Sequence, residues 1–184
     1  MRPYKYFKRF NDFLFAIILL VLFSWFILIL IIIASLDTRS LGIFTQSRIG
    51  YLKKPFIIYK IKTFQDNHTI SKIGAFLRQY KLDESPQLFN VLIGHMSFVG
   101  PRPDISGFAD TLKSEESIIL TVKPGVTGPA TLYFRKEEKL LAKQNNPEDY
   151  NTSVIWPKKV ELNIKYVKEL SFKKDIYYLV KTFL

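Results

Sequence analysis

The chain has 184 residues, with 27 Lys and Arg against 16 Asp and Glu, for a formal net charge of +11. Apolar residues make up 48% and aromatics 15%, too rich a mixture for a disordered chain. The 8 Gly have no regular spacing, which excludes collagen, and the lack of Cys excludes a disulfide scaffold or a thiolate zinc site. A Cys-free chain fits the reducing cytoplasm. The basic excess calls for an anionic partner: nucleic acid, phosphorylated small molecules or an anionic lipid surface.

The first element is an apolar run that opens on Phe13 and closes on Ala34, with no charge in 22 residues. A core helix of a soluble domain would carry a polar stripe. This run is apolar all round and belongs in lipid. As one straight helix it reaches roughly 33 Å, against a hydrocarbon core of about 30 Å. A cleaved signal peptide would have a shorter run, of about 7–15 residues, ending in small residues, which Ala34-Ser35-Leu36 matches poorly. Arg2, Lys5, Lys8 and Arg9 precede the run; Arg39, Arg48, Lys53, Lys54, Lys60 and Lys62 follow it. Positive charge marks the cytoplasmic side, and here it marks both ends. A single straight span and a re-entrant hairpin that leaves by the face it entered both stand. No Pro interrupts the run, and Ser24-Trp25 is its one local weak point.

The chain thus divides into a membrane-embedded helix with a basic flank (residues 1–36) and a small catalytic-sized domain (residues 37–184), expected to be an α-rich α+β unit. Residues 56–64 (FIIYKIKTF) have the β-branched and aromatic content of a strand. Residues 71–80 read as a helix capped by Ser71, with Ile73, Phe76 and Leu77 on one face. Residues 85–93 read as the next helix, with Pro86 in its first turn. Turns are expected at Gly100-Pro101-Arg102-Pro103 and Lys123-Pro124-Gly125. Residues 157–170 and 172–183 read as two amphipathic helices. Their apolar faces hold Val160, Ile164 and Val167, then Ile176, Leu179, Val180 and Phe183. The opposite faces hold Lys158, Lys159, Lys165, Lys168, Lys173 and Lys174. Such helices pack on the domain or lie flat at a lipid interface.

Two groups of residues are candidates for chemistry. Asp83 and Glu84 are adjacent carboxylates where a helix begins. They either cap that helix and favour its positive end, or act separately, one attacking an electrophile while the other holds a divalent cation. The second group is Arg48, Lys60, Lys62, Arg78 and Arg102, basic residues beside turns. Arg102 lies between two prolines that fix its backbone, which suits bidentate phosphate contact. His68 and His95 do not form a metal-ligand spacing, and the chain has no P-loop and no Gly-x-Ser-x-Gly elbow.

The order of the segments resembles the bacterial sugar transferase family, the monotopic phosphoglycosyl transferases that act on a polyprenyl-phosphate carrier. Lys8-Arg9 and Asp12 precede the apolar run. Phe44, Gln46, Arg48 and Gly50 follow it as F-x-Q-x-R-x-G, and Lys60-Ile61-Lys62-Thr63 matches the family's K-x-R-T with Lys for Arg. Gly74, Leu77 and Arg78 lead into Leu82-Asp83-Glu84 and Pro86-Gln87-Leu88, then Asn90-Val91-Leu92, Met96-Ser97 and Val99-Gly100-Pro101-Arg102-Pro103. Lys123-Pro124-Gly125-Val126-Thr127-Gly128 follows, and Tyr166, Ser171, Asp175 and Thr182 close the pattern. D-E-x-P-Q with N-V-L and V-G-P-R-P at this spacing is specific when taken together.

The resemblance implies a two-step transfer at the cytoplasmic face of the bacterial inner membrane. Asp83 would be the nucleophile that attacks the β-phosphorus of a UDP-sugar, and undecaprenyl phosphate would then take the phosphosugar. Glu84 would be associated with Mg²⁺, and Lys60, Arg78 and Arg102 would bind phosphate. Four positions depart from the family pattern: Trp25 where a Pro usually follows Ser24, Lys62 for Arg, His95 for the Asp of G-D-M-S, and Thr131-Leu132-Tyr133 for the usual Q-V. The rivals are a non-enzymatic anchored module that binds anionic lipid or a protein partner, and a membrane-tethered nucleic-acid binder. The second is disfavoured because no recognition motif is evident, so no nucleic-acid partner is expected.

Overall fold

The computed structural model describes residues 2–65 and 69–184, so His68 lies outside the described residues. Helix α1 (Arg2–Thr38) runs unbroken through Ser24-Trp25 and is about 55 Å long at 1.5 Å per residue. Pro3 lies in its first turn, where Pro is tolerated. The boundary expected after residue 36 falls within the last turn. Asp12, Ala16, Ile27, Leu30, Ala34 and Thr38 are buried, a spacing that puts them along one side. That seam is interrupted: residues 21–25 are all exposed. The helix is therefore held near both ends and clear of the domain at its middle.

Two antiparallel strands, β1 (Ile43–Ile49) and β2 (Pro55–Ile61), form a hairpin with Phe44 opposite Lys60 and Arg48 opposite Phe56. β2 agrees with the strand expected there. β1 alternates exposed and half-buried residues along most of its length, so its sequence shows no apolar run. Helix α1 packs across this hairpin. Ala16 meets Phe56, Ile58, Val91 and Met96, and Leu30 and Ala34 meet Ile61 and Leu77.

Helix α2 (Lys72–Gln79) is capped as expected: the Ser71 hydroxyl accepts the Gly74 N–H at 2.8 Å. Its buried face differs from the expected one. Leu77 and Gly74 are buried, whereas Ile73 and Phe76 are exposed. The reason is Gly74, where a Cβ would lie 2.1 Å from the Thr63 carbonyl oxygen, so the helix start sits directly on the chain after β2. Helix α3 (Gln87–Leu92) is shorter than expected, and Pro86 precedes it.

Strands β3 (Ser97–Val99) and β4 (Gly125–Thr127) pair in parallel. Glycine makes this contact possible. A Cβ on Gly125 would be 2.1 Å from the Gly100 nitrogen, and one on Gly128 would be 2.1 Å from the Gly100 oxygen. The V-G-P-R-P and K-P-G-V-T-G segments are thus two halves of one backbone-on-backbone junction.

Short helices α4 (Pro129–Tyr133), α5 (Glu137–Leu141) and α6 (Pro147–Tyr150) lead through a π-helical turn (Asn151–Ile155) to α7 (Trp156–Lys168) and α8 (Phe172–Phe183). Val160 and Val167 of α7 are buried as expected, with Ile164 packed beside them. Lys159 is a correction: it is buried and paired with Glu137 at 2.7 Å, not solvated. Helix α8 packs on the domain through Leu179, while the rest of its apolar face stays outward, as the lipid-interface arrangement has it. Asp175 is buried, while Ile176, Val180 and Phe183 face outward. Asp175 sets that orientation because it accepts from Tyr4, Lys8 and Tyr166. A buried carboxylate must find such partners, and together they tie the start of α1 to the last helix.

Candidate active site

Asp83 and Glu84 lie in a single 3-10 turn (Leu82–Glu84) between α2 and α3. The turn is entered through Lys81 at φ 57, in the left-handed region, and is closed by the Ser85 N–H bonding to the Leu82 oxygen at 3.1 Å. Both carboxylates are buried at 8% exposure. Neither caps α3. Glu84 Oε1 accepts from Lys60 Nζ at 3.0 Å and from Arg102 Nη2 at 2.7 Å. Asp83 Oδ1 is buried and has no hydrogen-bond partner among the described residues. The capping reading of this pair therefore fails.

Each partner of Glu84 is fixed by its own element. Lys60 projects from β2, whose outer edge is pinned by Asn90: its side chain donates to the Ile57 oxygen at 2.6 Å and accepts the Tyr59 N–H at 3.1 Å. Asn90 is wholly buried and supplies the contacts that a further strand would otherwise make. Arg102 sits on a loop tied at both ends. The Gly125 N–H donates to the Pro101 oxygen and the Ile49 N–H to the Asp104 oxygen, both at 2.8 Å.

Arg48 braces the same loop. Gln46 Oε1 accepts from Arg48 Nε at 3.1 Å and Nη2 at 2.6 Å, and Arg48 Nη1 reaches the Pro103 oxygen at 3.4 Å. Arg48 of the F-x-Q-x-R-x-G segment, held by Gln46, thus meets the P-R-P segment. Arg78 Nε donates to Thr63 Oγ1 at 3.0 Å, and its Nη1 makes a loose surface pair with exposed Glu138 at 3.6 Å. Lys62 is directed elsewhere, to Ser40 Oγ at 2.8 Å. His95 is exposed with its ring edge-on to Phe56, and no recorded contact joins it to the carboxylate pair.

The two carboxylates differ in acidity. Burial pushes Asp83 above the usual aspartate range, and the adjacent Glu84 charge adds to this against Lys60, Lys81 and Arg78. Burial also pushes Glu84 up, but Arg102 and Lys60 outweigh it and hold the group at about 2. Burial lowers Lys60, with the Glu84 charge opposing. Arg102 is raised, chiefly by Glu84. Glu84 is thus a fixed anion that organises two cations, and Asp83 is an unclaimed acceptor beside them.

Sequence reasoning missed Lys81, whose left-handed conformation only the fold reveals, and the charges behind Arg102. There Asp104 is raised by burial against Lys159, Arg102 and Arg48. The adjacency of Asp104 to Pro103 was the available signal.

Among the described residues, no group of three or more His, Cys, Asp or Glu gathers as a metal site. Lys60 and Arg102 both bond Glu84 Oε1, and Glu84 Oε2 accepts no hydrogen bond among the described residues, which fits Mg²⁺, an ion commonly held by one or two carboxylates together with substrate phosphates.

The family model described as bacterial sugar transferase matches residues 3–184. The uncharacterized sugar transferase EpsL of Bacillus subtilis is 33% identical, over 95% of this chain and 84% of that protein. The UDP-glucose:undecaprenyl-phosphate glucose-1-phosphate transferase of Klebsiella pneumoniae is 33% identical, over 91% of this chain and 40% of that protein. The UDP-N-acetylgalactosamine-undecaprenyl-phosphate N-acetylgalactosaminephosphotransferase of Aeromonas hydrophila is 29% identical, over 97% of this chain and 43% of that protein. The chain thus spans about two fifths of the two larger relatives and most of EpsL. With the family model matched along nearly the whole chain, this protein belongs to the bacterial sugar transferase family.

Proposed function

We propose that the chain transfers a sugar 1-phosphate from a UDP-sugar to undecaprenyl phosphate at the cytoplasmic face of the inner membrane, through a covalent aspartyl intermediate. The observation that carries this is the unpartnered, buried Oδ1 of Asp83 beside a carboxylate already neutralised by Lys60 and Arg102. In the first step a carboxylate oxygen of Asp83 bonds to the β-phosphorus, the bond from that phosphorus to the bridging oxygen breaks, and UMP leaves with the electron pair. In the second, a phosphate oxygen of the lipid bonds to the same phosphorus and Asp83 departs as a carboxylate. No proton need be moved in either step.

Lys60 and Arg102 stabilise the charge that builds on the phosphoryl oxygens, and Glu84 keeps both cations aimed. Arg78 favours the anionic form of Asp83 and would bind substrate phosphate. Mg²⁺, held by Glu84 and the substrate's phosphates, would supply further neutralisation of the diphosphate.

The membrane placement follows the same reading. Lys8 near one end of α1 is paired with Asp175, and Asp37 at the other end accepts from Ser71. One polar domain holds both ends, which supports entry and exit at one membrane face; because α1 is unbroken through Ser24-Trp25, such a path requires the helix to bend near its exposed residues 21–25 when it enters lipid. The outward apolar face of α8 adjoins this entry point, with Phe172 packed edge-on against Phe7 at 5.8 Å, which suits a helix lying at the lipid interface.

Two experiments test the proposal. Purified protein with Mg²⁺ and undecaprenyl phosphate should release UMP from at least one member of a UDP-sugar panel, and donor alone should leave a phosphosugar adduct on the Asp83 peptide. Silence across the panel, or turnover with Asp83 never modified, overturns the mechanism. On this Cys-free chain, Lys5→Cys and Arg39→Cys should label from the same side; labelling from opposite sides refutes the re-entrant path.

A further inference from the structure

The turn between α3 and β3 gathers cations for which the transferase reading has no use. Gly94, at φ +84, carries the chain out of α3. A Cβ built on it would lie 2.9 Å from Lys123 Nζ and 3.0 Å from Arg9 Nη2. The ammonium and guanidinium therefore face one point, no more than about 6 Å apart, where like charges repel unless an anion intervenes.

The local compensation is thin. Arg9 donates from Nη1 to the Val91 oxygen at 2.7 Å and from Nη2 to the Leu92 oxygen at 2.8 Å, closing the carbonyl end of α3. Lys123 makes no hydrogen bond or ion pair among the described residues, although it is half-buried. The carboxylate acting on it is Asp12, which is buried and accepts the Phe98 N–H at 3.3 Å. Burial and the Arg9 charge together lower Lys123 from its ordinary range. The turn offers no acid of its own, because His95 stands where the resembled family carries Asp.

The place of these cations along α1 indicates what meets them. Arg9 Cζ lies 5.6 Å from the ring of Phe13, the first residue of the apolar run. Phe10 and Ile93, on either side, are exposed. With the run in hydrocarbon, one helical turn of about 5.4 Å puts Arg9 and Lys123 at headgroup depth. Arg keeps further N–H donors and the Lys ammonium offers three.

We propose that Lys123 and Arg9, at the Gly94-His95 turn, form a binding site for the phosphate of an anionic membrane lipid. The site rests on α1 lying in the membrane and not on the chemistry at Asp83, so UMP release by the same preparations separates the two readings. The test uses the full chain in neutral detergent, with lipid retention read by native mass spectrometry and thermal stabilisation read alongside. The probes are phosphatidylglycerol, phosphatidylcholine and inorganic phosphate. Phosphatidylglycerol should bind and stabilise the parent chain, whereas the other two should not.

Lys123→Met and His95→Asp should each weaken phosphatidylglycerol binding about five-fold, the worth of one charge near a lipid surface. Neither change should prevent folding: the first removes a crowded ammonium, and the second alters an exposed side chain on an unchanged backbone. Unaltered binding in both variants overturns the site. Equal binding of phosphatidylcholine removes the requirement for an anionic lipid, and equal binding of inorganic phosphate makes this a free-anion site.

Discussion

Replacing Asp83 by Asn separates a nucleophile from a structural carboxylate. The side chain keeps its shape and loses its charge. Asp83 Oδ1 is buried without a partner, and Glu84 is its neighbour. Leaving such a group unsatisfied costs about 1–3 kcal/mol. Because the folded environment raises the aspartate's pKa above its ordinary 3.8, the charged form is the disfavoured one. The Asn variant should therefore be at least as stable at pH 7, with a gain of about 1 kcal/mol, or about 2–4 °C in Tm for a chain of this size. The sign can be checked by titration. The advantage of the variant should shrink as the pH falls through the raised folded pKa and vanish only below the ordinary 3.8, where both the folded and the unfolded parent are protonated. UMP release should fall by at least about a thousand-fold, since the anionic carboxylate nucleophile is gone. Thermal melts from pH 7 to pH 3 and a UMP assay on the same preparations decide the matter. A Tm several degrees lower in the variant, or preserved turnover, would refute the reasoning.

Three further outcomes are expected. Glu84→Gln leaves Lys60 and Arg102 without their shared anion; the loss should be about 2–4 kcal/mol by chemical denaturation, at the lower end because Arg102 is 31% exposed. In the parent, adduct formation should decline with falling pH through a value above the ordinary aspartate range, as Asp83 protonates. Glu84, held at about 2, should not contribute to that decline; its stabilisation is complete above its ordinary 4.5 and lost between there and about 2. Arg48→Met should slow turnover about ten-fold or more by loosening the Arg102 loop, and the loss should disappear in an Arg102→Met background; additive losses in the double variant would show that Arg48 acts elsewhere.

Some of this molecule could be read directly from the residue order. The apolar helix, the Ser71 cap and the strand carrying Lys60 follow from local periodicity and capping, which depend on neighbours in the chain. The D-E pair and the P-R-P turn stood out for the same reason. Local pattern also sets limits: the half-exposed face of β1 shows no apolar run, and periodicity does not say which residues of the α8 apolar face pack inward, where only Leu179 does.

Only the tertiary structure decided which face of α8 turns inward, because Asp175 needed Tyr4 and Lys8 from the other end of the chain. It also showed why the glycines of the two turns are required, since Gly100, Gly125 and Gly128 let two distant backbones touch. The same holds for the site. Composition supplied the charges, but only folding brought Lys60, Arg102 and Glu84 within hydrogen-bonding distance and left Asp83 unclaimed. Such electrostatic contacts depend on separation in space, which the order of residues alone does not specify.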